Sequence, residues 1–106
     1  MSHLMYETKD GIKLNLGCGN SWETTYKTHG FVGLDIFDFG QQHVANVLNG
    51  LPYDDNSVSQ IRASHFLEHF LVDDAIKILN ECHRVLKPGG SMHVIVPSAW
   101  NRKSLD

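Results

Sequence analysis

Only two cysteines occur among the 106 residues, and Cys18 and Cys82 fit neither a metal-binding nor a redox spacing. A disulfide framework is therefore excluded, and both are expected as free thiols. Long apolar runs are missing as well: nothing approaches a membrane span, and Met1-Ser2-His3-Leu4-Met5-Tyr6 lacks the basic and apolar regions of a signal peptide. A cytoplasmic protein is the expectation. There is no basic cluster; the net charge is −3 with seven scattered histidines, which leaves no electrostatic footprint for nucleic acid or an anionic membrane. Small molecules or protein partners are favoured instead. Repeats, linkers and low-complexity stretches are absent, and 42% hydrophobic with 20% charged residues excludes disorder. One domain over residues 1–106 is expected, at the small end for a wound α/β sheet.

What the chain does have is a strand running into glycines. Lys13-Leu14-Asn15-Leu16-Gly17-Cys18-Gly19-Asn20 reads as a buried strand followed by a tight turn, and Phe31-Val32-Gly33-Leu34-Asp35 as a second strand tipped by an acid. Two glycines let main chain approach a ligand closely, and an acid at the neighbouring strand tip suits ribose hydroxyls. An ordinary strand-to-helix turn with a surface Asp is the competing reading of the same residues.

The remaining elements alternate. Strands are expected at Ile12–Leu16, Phe31–Ile36, His43–Val47, Val58–Ala63 and Met92–Val96. Asn20–Gly30 is polar and poorly periodic, so its crossover helix is expected to be short or irregular. From Asp73, read as an N-cap, Ala75, Ile76, Ile78, Leu79, Cys82, Val85 and Leu86 recur at helical spacing, and Lys87-Pro88-Gly89-Gly90 is read as the stop. Short links between such elements require right-handed crossovers and a mostly parallel sheet.

Five segments together carry a resemblance: Leu14-Asn15-Leu16-Gly17-Cys18-Gly19, Gly33-Leu34-Asp35, Leu51-Pro52-Tyr53, Ser64-His65-Phe66-Leu67-Glu68-His69 and Arg84-Val85-Leu86-Lys87-Pro88-Gly89-Gly90. In this order and spacing the chain resembles the class I S-adenosylmethionine-dependent methyltransferases, of the methyltransferase type 11-like kind, from Ile12 to Ser98. The resemblance implies an α/β, Rossmann-like parallel sheet in the order 3-2-1-4-5, with S-adenosylmethionine at the carboxyl ends of the strands. It implies cofactor contacts from Asn15, Leu16, Gly17, Cys18 and Gly19 at the turn, from Asp35 to both ribose hydroxyls, from Ile36 beside the adenine, and from Asn46 and Val47. Ser64 and His65 correspond to positions near the sulfonium and the acceptor. Asn15 stands where the family usually has an acid, and Ser21 where it has a third glycine. The reaction implied is in-line methyl transfer to a small-molecule acceptor, with His65 the candidate base because histidine is the residue type suited to taking a proton at neutral pH. No resident metal is implied.

Two rivals use the same residues. A nicotinamide- or flavin-dependent oxidoreductase would need a third glycine where Trp22 stands. His65-Phe66-Leu67-Glu68-His69 matches the H-x-x-E-H zinc pattern, but no suited third ligand follows. Glu68 and His69 are therefore expected to cap or brace the next helix, with Leu67 packed inward, and Trp22, Tyr26 and Trp100 to be packing or rim residues. After the fifth strand the chain is shorter than the family pattern, which adds an antiparallel strand pair. It is expected to be truncated there, to complete its sheet by dimerising, or to be a non-catalytic cofactor-binding subunit whose partner covers strand 5.

Overall fold

The computed structural model describes residues 11–96. Within them β1 (Ile12–Leu16), β2 (Val32–Asp35), β3 (His43–Val44), β4 (Val58–Ser64) and β5 (Leu86–Ile95) form one sheet in the order β3-β2-β1-β4-β5, with every pairing parallel. The helices are α1 (Trp22–His29) and α2 (Val72–Val85). This is the expected Rossmann-like order.

Alternation along the strands builds two unlike faces. Leu14, Val32, Ile61 and Met92 stand in one cross-strand row. They belong to or pack on a core that includes Ile78, Cys82 and Val85 of α2. Burying each large aliphatic there contributes roughly 1.5–3 kcal/mol. The opposite row runs Gly33, Asn15, Arg62 and His93, and α1 lies over its β2 end. A Cβ on Gly33 would meet Cys18 Sγ at 2.9 Å and Trp22 Cβ at 3.1 Å. The small residue that lets helix and strand touch therefore sits on the strand, which frees Trp22 to fill the gap and to donate its indole N–H to the Phe39 carbonyl at 2.8 Å.

Several elements differ from their sequence reading, whereas the connection after β1 is as short as expected: an eight-residue α1, led in by a 3-10 turn at Gly19–Ser21 and closed by Gly30 at φ 75°. No α1 residue is fully buried, which is why its periodicity was faint in the sequence. β3 stops at Val44 rather than Val47, because Asn46 Oδ1 accepts the Leu48 N–H at 3.0 Å and starts a 3-10 turn at Val47–Asn49. Asp73 is not the cap of α2: Leu71 occupies that position without a side-chain bond, and Asp73 with Asp74 lies in the first turn, where the helix dipole favours carboxylates. Nor do the glycines stop α2. Leu86 is already extended and opens β5; Val58 pairs Leu86 but Gln60 pairs Ser91, so Lys87-Pro88-Gly89-Gly90 bulges out within the strand. Trp100 and everything after Val96 lie outside the described residues.

Arg84 explains its own segment. Its guanidinium donates to the carbonyls of Leu51 and Tyr53, each at 3.0 Å, to Asp55 Oδ1 at 2.7 Å, and to both Glu81 oxygens, while Glu81 Oε1 also accepts the Leu51 N–H at 2.7 Å. α2 is thereby clamped to the loop before β4. The Arg84 bonds, then the Leu51 N–H, hold the Glu81 carboxyl below its ordinary value of 4.5. A depressed carboxylate stabilises fully above that ordinary value and loses the contribution as pH falls through the lower folded one. Arg84→Met is expected to cost about 2 kcal/mol in urea unfolding, since two buried carbonyls lose their donor. Glu81→Gln is expected to flatten the loss of stability below pH 4.5; a slope as steep as that of the parent would remove Glu81 from the acid response.

Candidate functional site

The carboxyl ends of β1, β2 and β4 meet at the point where chain order reverses, the crevice in which open α/β sheets bind ligands. Leu16 ends β1 fully buried, and Gly17 turns the chain at φ 62°. The N–H groups of Gly17 and Cys18 donate to the Leu34 carbonyl at 2.8 and 3.3 Å, and that of Gly19 to Asp35 Oδ2 at 3.0 Å. All three elbow donors are thus spent on β2. These three N–H groups are therefore not free to cradle a pyrophosphate.

The two glycines do different work. A Cβ on Gly17 would lie 2.3 Å from Phe66 Cδ1, so the aromatic ring takes the space that the missing side chain leaves. Gly19, at φ 60°, has nothing among the described residues within 4 Å of its Cβ direction, so its bare face is open there. Cys18 points inward, 5% exposed; burial first and the Asp35 charge second push its thiol up to about 11, which makes it inert at neutral pH. Asn15 is buried beneath the elbow.

Asp35 is held at both oxygens, Oδ2 by Gly19 and Oδ1 by the Phe37 N–H at 3.1 Å. A carboxylate offers about four acceptor positions, so one on each oxygen remains for further donors. Beside it lies a hollow of about 140 Å³ lined by Asp35, Ile36, Asn46, Val47, Phe66 and Phe70, among others. Phe66 and Phe70 meet edge to face with centroids 5.0 Å apart. Sequence reasoning missed both rings as part of the site; the signal was two aromatics four residues apart directly after a strand tip. Ile36, Asn46 and Val47 do converge here with Asp35, and Asn46 Oδ1 already caps its own turn.

Ser64 is the last residue of β4, and His65 follows at φ 52°, its N–H donating to the Ile95 carbonyl at 2.7 Å. A left-handed residue here breaks the helix that the zinc spacing needs, since only Leu67–His69 forms a 3-10 turn. His65 and His69 therefore do not share a helical face. Glu68 does not cap α2; its Oε2 lies 3.6 Å from His65 Nδ1, while Leu67 packs inward as expected. Among the described residues no group of three histidine, cysteine or acidic side chains is placed to hold a metal ion.

Fold and crevice together define a Rossmann-like cofactor-binding domain. The methyltransferase domain family matches residues 14–94, and the chain belongs to that family. No curated protein matches it. Its fold is similar to a SAM-dependent methyltransferase from Archaeoglobus fulgidus, with a TM-score of 0.63 and 22% identity over 81% of this chain and 44% of that one. It is similar also to a chain of the complex between the Haloferax volcanii Trm112 methyltransferase activator and a methyltransferase (0.64, 23%, 85% and 46%). A Pyrococcus horikoshii protein matches at 0.70 and 20%, over 98% of this chain and 54% of that one. The chain therefore spans about half the length of these solved relatives.

Gly17→Ala is expected to destabilise by well over 1 kcal/mol, because strain and a ring clash add. Gly19→Ala should cost only the strain, about 1–2 kcal/mol. Equal costs in urea unfolding would show that Phe66 yields freely.

Proposed function

We propose that this domain binds S-adenosylmethionine in the crevice at Asp35 and supports methyl transfer to a small-molecule acceptor. The observation that carries the reading is the Asp35 carboxylate, fixed by two backbone N–H groups at the mouth of an apolar, aromatic-walled hollow with acceptor capacity to spare. That pairing of groups fits an adenosine, whose two adjacent hydroxyls need one carboxylate and whose base needs an apolar slot. Asp35 accepts from both ribose hydroxyls, Ile36, Val47 and Phe70 enclose the base, and the second lone pair of the Asn46 oxygen faces its amino group. The open side of Gly19 lets sugar and amino-acid parts lie against main chain, with Leu16, Gly17 and Cys18 as the floor and Asn15 beneath them.

When bound, the cofactor would supply an electrophilic methyl group on a sulfonium, open to in-line attack with a neutral thioether as the leaving group. The chain's own part is orientation, exclusion of water and proton removal. His65, beside Ser64 at the crevice rim and 59% exposed, takes the acceptor's proton. Two buried free thiols accord with a reducing, cytoplasmic setting. Among the described residues no helix is long and apolar enough to cross a membrane.

A second reading is a cofactor-binding module completed by a partner subunit or by a second copy. It is favoured by β5, which is an edge strand among the described residues with Val94 and Ile95 exposed, and by the exposed Leu71, Val72 and Ile76 of the α2 region. The similar Haloferax chain comes from a complex of a methyltransferase and its activator.

Calorimetric titration with S-adenosylmethionine tests the site. Asp35→Ala should weaken binding roughly 100-fold, the loss of two charge-assisted hydrogen bonds. His65→Ala should leave binding within a few-fold and abolish transfer; an Asp35→Ala protein that binds like the parent would end the proposal.

A further inference from the structure

The turn after β4 holds a largely buried carboxylate. Glu68 is only 12% exposed, and among the described residues its buried Oε1 has no hydrogen-bond partner. A buried acceptor left without a donor costs roughly 1–3 kcal/mol, and more when charged. Its other oxygen faces the Nδ1 of His65 at 3.6 Å. His65 is itself held at cost: its left-handed φ of 52° is uncommon for a residue with a side chain, and its N–H is pinned to Ile95 at 2.7 Å. Two unfavourable features, three residues apart, converge on one contact. Strain and unmet polar groups that persist together mark positions kept for chemistry rather than for stability.

We propose that Glu68 is a positioning residue that sets the tautomer of His65. Its carboxylate draws the imidazole proton onto Nδ1, which leaves the lone pair on Nε2 facing away from Glu68. This deepens, and rests on, the reading of His65 as the base. During transfer the acceptor's X–H bond breaks as the X–CH3 bond forms; the proton passes to Nε2, the sulfonium carbon–sulfur pair stays on the leaving thioether, and the imidazolium is neutralised by Glu68 before the proton goes to water. Active-site pairs of this kind are commonly long before ligands bind and shorten in the loaded site.

Two-bond proton–nitrogen correlation spectra of the 15N-labelled protein test this, with a His65→Gln sample to assign the signal. In the neutral ring the parent should show the proton on Nδ1. Glu68→Leu should shift the population mainly to Nε2–H, and Glu68→Gln, whose amide oxygen still accepts, should restore much of the Nδ1–H form. A parent ring protonated on Nε2, or an Nδ1–H ring that persists in Glu68→Leu, overturns the proposal. The parent spectrum alone decides should Glu68→Leu fail to fold. Titration of the same samples with S-adenosylmethionine separates the two levels: a parent that binds none sinks the cofactor reading, whereas a tautomer switch with cofactor affinity unchanged supports Glu68 acting through His65 alone.

Discussion

One hydrogen bond organises the site: the Gly19 N–H to the Asp35 carboxylate, which ties the elbow leaving β1 to the tip of β2. It works with the Leu34 carbonyl, which receives the two preceding elbow N–H groups, so that adjacent strand ends are locked in register just where the ligand crevice opens. With both glycines at positive φ, the chain can make this turn without a side chain in the way. Everything else at the crevice takes its place from that lock: Cys18 is folded inward, Phe66 covers Gly17, and Asp35 keeps spare acceptor positions at the rim of an apolar hollow.

The distribution of polar groups is selective. The N–H groups of Gly17, Cys18 and Gly19, which could otherwise attract phosphate, are all taken by β2, and Asp35 presents a carboxylate beside them. Such a carboxylate accepts from hydroxyl donors on a nucleoside and repels a diphosphate. The chemistry of the crevice and membership of the methyltransferase domain family thus point the same way, although one comes from hydrogen-bond accounting and the other from sequence pattern.

Stability is concentrated away from this rim. Ile78, Cys82 and Val85 fix α2 to the sheet, and the Arg84–Glu81 clamp fixes it to the loop that carries Leu51 and Tyr53. The rim itself holds the strained His65 and the unmet Glu68 oxygen. A rigid base and a costly edge are what a fold needs in order to hold reactive groups in geometries they would not choose alone.

The sequence by itself determined the elbow, the acidic strand tip and the main helix, because each rests on local signals: buried alternation, paired glycines and 3.6-residue periodicity; the sheet order came with the family pattern. Ile36, Asn46, Val47 and Asp35 were legible as neighbours through the family pattern. Tertiary structure alone decided that Gly33 rather than a third glycine admits α1, that Lys87–Gly90 bulges within β5 instead of ending α2, that Phe66 and Phe70 join the crevice, and that Glu68 turns to His65. These depend on which backbone groups find partners across the sheet and on which spaces a neighbour's side chain fills. Such quantities exist only between segments distant in sequence, so no local pattern encodes them.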